Sequence, residues 1–411
     1  MTQILRGNIV HAPEMGRLDI LEHGCLVLED GVITGLYRQL PEELANAEVR
    51  DFGDRILMQS FADMHLHAPQ YPMLGMGMDL PLLDWLNTYT FPTEARFADV
   101  DYARRVYRRL ATDLITNGTT RVCMFSSMHT DATLVLMDEL ERAGVTGYVG
   151  KVNMDRNGLP GKLQETTEES VAETLRWLEN CHFEHIKPIL TPRFTPSCTD
   201  GLMAELGRIA AARGLYVQSH LSESTNEIAW VKELHPECSQ YWETYDKYGL
   251  WKDHTLMAHC VWSDERERAA IRDAGVVVVH CGDSNVNICS GICPVRRMVN
   301  EGLWVTLGSD IAGGAQLPMY KVITMSIRTS KARRVTDEQH PEFLTVAEGY
   351  YLGTTSGHKY FGAGEGFAVG DKLHAVVIDD GDFPEAAHPL NVEERFERAI
   401  YMTHRHNIVS V

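Results

Sequence analysis

Residues 56–67 read Ile-Leu-Met-Gln-Ser-Phe-Ala-Asp-Met-His-Leu-His, an apolar, strand-like run that ends in two histidines. Side chains of an extended strand alternate between its two faces, so His65 and His67 lie on the same side. Two imidazoles on one face at the end of a strand can bind one metal ion. A single His-x-His pair also arises by chance, so its meaning depends on the strands that follow.

Seven further strand-like runs follow, each short, rich in β-branched or apolar residues, and succeeded by a polar segment. They are Thr119–Phe125, Gly147–Asn153, Ile186–Thr191, Tyr216–His220, Thr255–His259, Val276–His280 and Leu303–Asp310. The stretches between them alternate apolar and charged residues near the helical period, which predicts helices at Asp101–Thr116, Thr130–Ala143, Thr167–Glu179, Asp200–Arg213, Thr225–His235, Asp264–Ala274 and Pro294–Glu301. Strands that alternate with helices in this way predict an α/β fold, a (β/α)8 TIM-type barrel.

Functional side chains of a TIM-type barrel lie at the carboxyl ends of its strands. In this chain those ends carry His65 and His67, Arg193 and Phe194, His220, His259, His280 and Asp310. Such a convergence is much harder to obtain by accident than any single motif. The sequence therefore predicts one active site at this end of the barrel.

Both ends of the chain contain strand-like segments outside the barrel, at Ile4–Val10, Cys25–Glu29, Gly31–Tyr37, Ala375–Asp379 and Ile408–Val411. Residues 31–35 resemble a hairpin, and a hairpin needs partner strands to be stable. We therefore predict one small β-sandwich domain built from residues 1–58 and 366–411, beside a barrel domain of residues 59–365. Two separate terminal flaps are the alternative.

Composition limits the classes of partner. The 411-residue chain has a formal net charge of −19 and no basic stretch, which argues against nucleic acid or an anionic membrane surface. We expect neither a signal peptide nor a membrane-spanning segment. The nine cysteines are scattered without the spacing of a disulfide framework, so a reducing cytoplasm is the expected location.

Three imidazoles and one carboxylate of the strand ends form a plausible metal site, composed of His65, His67, His220 and Asp310. This donor set suits Zn²⁺, with Fe²⁺ and Mn²⁺ as alternatives. A metal ion with an open position lowers the pKa of a bound water toward about 7. The site is therefore suited to hydrolysis.

A site with two metal ions would need a bridging ligand, often a carboxylated lysine at the end of the fourth strand. The only lysine of that strand, Lys187, lies at its start, and Lys151 lies one strand earlier. We therefore predict a single metal ion, with Lys151 paired to a neighbouring acid.

Three more polar residues near the strand ends have alternative roles. Glu223 lies three residues beyond His220, where a carboxylate can exchange protons with a metal-bound water and a substrate; the alternative is a glutamate that favours the dipole of the next helix. His259 is either a second metal ligand or a neutral group that stabilises a developing oxyanion. His280 either orients the substrate or is an ordinary structural histidine.

Four motifs together resemble the amidohydrolase superfamily, and within it the mononuclear deaminase and chlorohydrolase branch. They are residues 61–67, His220-Leu221-Ser222-Glu223, Ala258-His259 and Gly308-Ser309-Asp310. A narrower likeness, to the guanine deaminase family, is carried by residues 67–71, 79–86, 89–94, 117–120, 150–155, 165–170 and 191–194. The likeness extends over nearly the whole chain.

The resemblance implies Zn²⁺-dependent hydrolysis of guanine to xanthine and ammonia, in purine metabolism, by a homodimer. It implies that the catalytic residues are Glu223, His259 and Asp310. It implies that the substrate-binding residues are Gln70, Leu83, Trp85, Arg193, Phe194 and His259. Two of these have ordinary alternatives, because a strand-end arginine such as Arg193 is commonly an ion-pair partner and Trp85 can anchor a loop.

The chain also departs from the family pattern. It has Gly282-Asp283 where the resemblance would place Pro-Asn, and His374 where it would place an aspartate. A deaminase of a related heterocycle, such as a pterin or 8-oxoguanine, is therefore the first alternative function, followed by a chlorohydrolase. A non-catalytic metal-binding scaffold is less favoured, because Glu223 and all four ligands are present.

Overall fold

The apolar run that ends at His67 is divided between two sheets in the computed structural model, which describes residues 2–337 and 341–411. Glu48–Gln59 belongs to a sheet formed by the chain termini, and Phe61–His67 is the first strand of a parallel sheet. Ser60 lies between them, with its N–H donating to the His374 carbonyl at 3.0 Å. The run that we interpreted as one strand therefore serves two sheets.

The strands of the described residues, in chain order, are β1 Thr2–Glu14, β2 Arg17–Glu29, β3 Val32–Tyr37, β4 Glu48–Gln59, β5 Phe61–His67, β6 Thr119–Phe125, β7 Thr146–Gly150, β8 Val152–Asn153, β9 Ile186–Pro188, β10 Thr191–Pro192, β11 Gln218–Leu221, β12 Leu256–His259, β13 Val277–His280, β14 Trp304–Leu307, β15 Ala375–Ile378 and β16 Ile408–Ser410. The α-helices are α1 Leu82–Trp85, α2 Phe91–Ala95, α3 Val100–Thr116, α4 Thr130–Arg142, α5 Thr167–Asn180, α6 Asp200–Arg213, α7 Thr225–Leu234, α8 Glu243–Asp246, α9 Glu265–Asp273, α10 Gly282–Asn287, α11 Val295–Asn300, α12 Met319–Thr336, α13 Val346–Gly353, α14 Thr355–Tyr360 and α15 Val392–Met402. Seven of them, α3 to α7, α9 and α11, begin and end within one residue of the predicted bounds.

Parallel strands form the centre of the molecule as two four-stranded sheets, β5-β6-β7-β9 and β11-β12-β13-β14. Backbone hydrogen bonds connect the two sheets on both sides. Leu190 N–H donates to the Tyr216 carbonyl at 3.0 Å, and on the other side Asp310 N–H donates to the His65 carbonyl at 2.8 Å. The predicted α/β fold with parallel strands is confirmed, although the strand pairing is divided into two sheets rather than one continuous ladder.

Local sequence signals set the helices around these sheets. Helix α5 begins with a capping box, in which the Thr166 side chain accepts from Glu169 N–H and the Glu169 side chain accepts from Thr166 N–H. Helix α6 ends at Gly214, whose φ of +63° is the left-handed conformation that favours glycine. The strands between the helices are almost wholly buried, as both faces of a parallel sheet usually are.

Both chain ends contribute to a single six-stranded sheet, with the order β16-β15-β4-β1-β2-β3. The predicted hairpin is β2–β3, and its two-residue turn is Asp30-Gly31, with positive φ at both residues. The termini therefore do combine, as the joint-domain prediction requires. The predicted β-sandwich is not confirmed, because the terminal strands that the structure describes form one sheet rather than two layers.

None of the helices in the described ranges combines the length and the apolar character that crossing a membrane demands.

Candidate active site

The four predicted metal ligands converge at the carboxyl ends of three elements. His65 and His67 lie on β5, His220 lies on β11, and Asp310 follows β14. His67 Nε2 lies 3.2 Å from His220 Nε2, and His65 Nε2 lies 3.2 Å from Asp310 Oδ1. Each of the four side chains is buried, so three imidazole nitrogens and one carboxylate oxygen face the same small space.

The histidines of this cluster are neutral bases with a free lone pair. Burial, reinforced by the neighbouring imidazoles, holds the pKa of both His67 and His220 well below the ordinary value. The His220 ring donates from Nδ1 to the Arg193 carbonyl at 2.5 Å, which leaves Nε2 unprotonated toward the cluster. His65 Nε2 is buried without a hydrogen-bond partner among the described residues. This donor set fits a divalent cation such as Zn²⁺.

Asp310 is the negative charge of the cluster. Burial opposes its ionisation, but the contacts with His65, His259 and His67 outweigh burial and hold the pKa of the carboxyl below its ordinary value. Its Oδ2 also accepts a hydrogen bond from Ser284 Oγ, on α10. The carboxylate is therefore held in place on both oxygens.

Glu223 faces the pocket rather than the helix that follows it. Ser290 Oγ donates to Glu223 Oε1 at 2.8 Å, and Glu223 Oε2 lies 3.6 Å from His259 Nε2. Burial raises the pKa of the Glu223 carboxyl. The role at the start of α7 belongs instead to Glu227, which accepts from the backbone N–H of both Glu223 and Ser224.

His259 lies between the carboxylates of Glu223 and Asp310. Burial opposes protonation of the ring, but these two carboxylates raise its pKa above the ordinary value. Its Nδ1 lies 2.8 Å from Asn285 Oδ1, which fixes the ring with Nε2 toward Glu223. A nitrogen of His259 and ligand atoms of His65 and Asp310 lie within 4.8 Å of one another. The position of His259 therefore fits both predicted roles, a metal ligand and a group that stabilises an oxyanion.

A pocket of about 420 Å³, measured out to its mouth, opens above this cluster. Its lining includes Gln70, Trp85, Arg193 and Phe194, together with Glu223. With His259, which also lines the pocket, five of the six predicted substrate-binding residues therefore lie around the same space as the candidate ligands.

Leu83 does not line this pocket. The lining residues from this segment are Leu82, Trp85 and Leu86, which repeat at three- and four-residue intervals along one helical face. Leu83 lies about 100° away from Leu82 on that helix, and its carbonyl accepts from Asn87 Nδ2 at 2.9 Å. Leu83 is therefore not among the residues that line the pocket, and its contact with the substrate stays a prediction.

An ion pair that the sequence did not reveal holds the far wall of the pocket. Arg193 Nη1 donates to Glu94 Oε2 at 2.6 Å, and Nη2 donates to Oε1 at 3.0 Å. Gln70 Nε2 donates to the same carboxylate at 2.8 Å, while Gln70 Oε1 accepts from Ala312 N–H at 3.0 Å. Arg193 is thus both an ion-pair partner and a pocket residue, and Glu94, which is 1% exposed, positions it.

The unusual pair Gly282-Asp283 lies behind the pocket. A Cβ at residue 282 would approach His280 Nε2 at 3.0 Å and Ser326 Cα at 3.3 Å, so a side chain there would have to displace its neighbours. Asp283 Oδ2 accepts from Ala315 N–H at 2.8 Å and supports the loop after Asp310. Neither residue lines the pocket.

Two other residues that we singled out have structural surroundings. Lys151 is fully buried and donates to both carboxylate oxygens of Glu165, at 2.9 and 2.8 Å, as predicted for a lysine paired to a neighbouring acid. His280 is 1% exposed, lies outside the pocket lining, and has its pKa lowered to about 4 by burial. It therefore fits the structural alternative.

Comparison with known proteins gives a consistent pattern. The model of the amidohydrolase family matches residues 56–403. The guanine deaminase of Mus musculus is 37% identical over 391 residues, which cover 92% of this chain and 86% of that protein. The guanine deaminase of Escherichia coli K12 is 30% identical over 373 residues, which cover 88% of this chain and 82% of that protein.

Among solved structures, this chain is similar to a guanine deaminase from C. acetobutylicum that has guanine bound in its active site. The two share 41% sequence identity and superpose with a TM-score of 0.96, and the match covers 100% of this chain and 98% of the other.

Proposed function

The chain belongs to the amidohydrolase family, and from that premise we propose that it is a metal-dependent guanine deaminase, which converts guanine and water to xanthine and ammonia. One observation carries the proposal. One small pocket brings together three sets of groups. They are a cluster of three histidines and one aspartate, the glutamate Glu223, and a wall formed by the Gln70 amide and the Arg193 guanidinium. The similarity to an enzyme with guanine in its active site supports the choice of substrate.

We propose Zn²⁺ as the cation, held by His65, His67, His220 and Asp310, with Fe²⁺ as the alternative. When bound, such a cation supplies a water of lowered pKa, so that a nucleophile is available near neutral pH. The neutral state of His67 and His220 supports this assignment, because a metal ligand must offer a lone pair. Mononuclear occupancy is supported by Lys151, which is committed to Glu165 and is not free to bridge two ions.

The reaction replaces the amino group at C2 of guanine with an oxygen from water. Glu223 takes a proton from the attacking water and passes it to the ring nitrogen beside C2, a role that its raised pKa favours. His259 lies next to Glu223 and Asp310, where its Nε2 stabilises charge that develops on the tetrahedral carbon's oxygen. Asp310 accepts the second proton of that water from the hydroxyl on C2 and delivers it to the departing amine; the C2–N bond breaks, the C2 carbonyl forms, and ammonia leaves.

We propose that the base is bound against the wall formed by Gln70 and Arg193. Each still has hydrogen-bonding capacity beyond its bonds to Glu94, since an amide and a guanidinium carry several donors and acceptors. Phe194 and Trp85 supply apolar surface for a flat ring. Trp85 also anchors its own loop, because its indole N–H donates to the Met76 carbonyl at 3.0 Å.

We further propose that the two parallel sheets act as one closed barrel of residues 59–365, with residues 1–58 and 366–411 as a small β domain. The hydrogen bonds that join the sheets, from Leu190 to Tyr216 and from Asp310 to His65, support the closure. A cytoplasmic location agrees with the nine free cysteines. Homodimeric assembly and a place in purine metabolism stay predictions from the resemblance.

The direct test is an assay of purified protein that contains one equivalent of Zn²⁺. Guanine, pterin, 8-oxoguanine and a chlorinated triazine are incubated separately, and release of ammonia or chloride is measured. We expect turnover of guanine with formation of xanthine. Turnover of another heterocycle alone would replace the substrate assignment, and no turnover of any of the four by the zinc-loaded protein would reject the proposed reaction.

A further inference from the structure

A second pocket lies at the opposite end of the parallel strands from the candidate active site. It is bordered by the amino ends of β6, β7 and β9 and by the loops around Phe361 and Lys372. Arg121, which projects from β6, lies four residues before Phe125, about 13 Å along the strand. The pocket occupies about 920 Å³ when measured out to its mouth.

Arg121 is the unusual member of this pocket. It is 7% exposed, and its Nε is buried without a hydrogen-bond partner. Across residues 2–337 and 341–411 we find no ion pair or hydrogen bond of its guanidinium. The guanidinium carbon lies 5.8 Å from the centroid of the Phe361 ring. A buried arginine normally has a carboxylate partner, because an unpaired buried charge is costly.

The other charged groups around the pocket do not supply that partner. Asp371 also lines it and attracts Arg121 through its charge, but it forms no ion pair with Arg121, and its Oδ2 accepts from Gly364 N–H at 2.8 Å. Glu184 is largely exposed and lies 3.8 Å from His185 Nε2. Lys187 and Lys372 add two more cations to the lining, so positive groups outnumber carboxylates here in an otherwise acidic protein.

The back wall of the pocket is rigid. His374 lies beside Arg121 in the lining, with its Nδ1 2.7 Å from Thr120 Oγ1, and Thr120 Oγ1 lies 2.6 Å from Ser60 Oγ. The proximity of the guanidinium agrees with the low pKa of His374, about 3, for which burial is the main cause and Arg121 the next. An unpaired guanidinium at the base of an open pocket is suited to receive an oxyanion, because hydrogen bonds between two charged groups are strong.

We propose that this pocket binds a small anionic molecule through a phosphate or carboxylate group, which pairs with Arg121 and is flanked by Lys187 and Lys372. The site is separate from the candidate active site and does not depend on the proposed reaction. The bound oxyanion is the ion-pair partner that Arg121 does not have within the described part of the chain.

Isothermal titration calorimetry of the metal-loaded protein tests the proposal, with inorganic phosphate and succinate as separate probes at constant ionic strength. We expect at least one of them to bind with one site per chain, and the stronger one identifies the preferred oxyanion. Arg121→Met should weaken that binding by roughly tenfold or more, because a charge-assisted pair is lost. Arg213→Met, at the exposed end of α6, is the matched control and should bind as the unaltered protein does.

Two results would overturn the proposal. One is the absence of binding of either probe at ~10 mM, a concentration that would detect a weak millimolar site. The other is equal binding by Arg121→Met and the unaltered protein, which would place the anion elsewhere, including at the metal ion. If Arg121→Met does not fold, as judged by circular dichroism, His374→Asp provides the test. It offers Arg121 a carboxylate and should also abolish binding; unchanged binding by this variant would contradict the site.

Discussion

Two buried glutamates at the candidate active site have opposite surroundings: Glu223 lines the pocket, and Glu94 lies behind its lining residues Arg193 and Gln70. Glu94 is fully engaged by Arg193 and Gln70, whereas Glu223 accepts one bond from Ser290 and otherwise faces His259. Both oxygens of Glu94 accept hydrogen bonds, whereas Glu223 has few donors and burial raises the pKa of its carboxyl. The first therefore shapes the pocket, and the second is suited to proton exchange.

Replacing Glu223 should separate chemistry from metal binding. We expect Glu223→Gln to keep its metal content and lose about 10²- to 10⁴-fold in kcat, the usual contribution of a general acid–base group. Glu233→Gln, an exposed residue of α7, is the control and should keep full activity. Steady-state kinetics with metal analysis checks both, and a fully active Glu223→Gln would remove the residue from the proton transfers.

Replacing Glu94 should affect both stability and substrate binding. Glu94→Gln leaves the Arg193 charge buried without an ionised partner, so we expect a loss of about 3–5 kcal/mol in the free energy of unfolding and a raised KM for guanine. Glu14→Gln breaks an exposed pair with Arg17 and should cost less than about 1 kcal/mol. Urea titration compares the two, and equal small losses would mean that the buried pair contributes little.

At the residue scale, sequence reasoning found the groups at strand ends but not their partners. His220 and Asp310 were predictable because the carboxyl ends of parallel strands meet at one edge. Glu94 was not, since it lies 99 residues before Arg193 and looks like an ordinary helix glutamate. The orientation of Leu83 was not predictable either, because a loop sequence does not reveal which face of a single helical turn points inward.

At the element scale, the parallel strands and the helices around them were predicted well because their periods differ clearly. The third and fourth predicted strands were each divided, into β7–β8 and β9–β10. The break after β7 places Lys151 between two short strands, where it is buried against Glu165 at the start of the segment that leads into α5. The Lys151–Glu165 pair therefore holds the segment that leads into α5 against the parallel sheet.

Lys151→Met tests whether this lysine is structural. Because Glu165 would be left buried and unpaired, we expect a loss of about 3–5 kcal/mol in the free energy of unfolding, while one metal ion per chain is retained. Metal content by atomic absorption and the midpoint of urea unfolding give the two readouts. Loss of the metal in a protein that remains folded would instead indicate that Lys151 takes part in the metal site.

At the scale of the whole molecule, the two chain ends meet in one sheet beside the parallel strands. Arg55 Nε donates to Asp379 Oδ2 at 2.7 Å, which links the N-terminal and C-terminal segments, and Ser60 joins this sheet directly to β5. A joint terminal unit was predictable from the strand-like ends. Whether these strands form one sheet or a two-sheet sandwich was not predictable, because long-range pairing of edge strands leaves little trace in local sequence.

Metal removal should destabilise the whole molecule. Three buried imidazoles and a buried carboxylate would lose their common partner, so we expect chelation to lower the thermal midpoint and abolish deamination. Adding Zn²⁺ should restore both properties, whereas Mg²⁺ should restore neither, because it prefers oxygen ligands. Differential scanning calorimetry follows the change, and an unchanged midpoint after complete metal loss would contradict this expectation.

The most direct test of the central assignment is anomalous diffraction from crystals of the active, zinc-loaded protein at the zinc absorption edge. We predict one strong peak per chain, about 2.0–2.2 Å from the nitrogens of His65, His67 and His220 and from a carboxylate oxygen of Asp310. A protein that deaminates guanine with no peak among these four side chains would contradict the account.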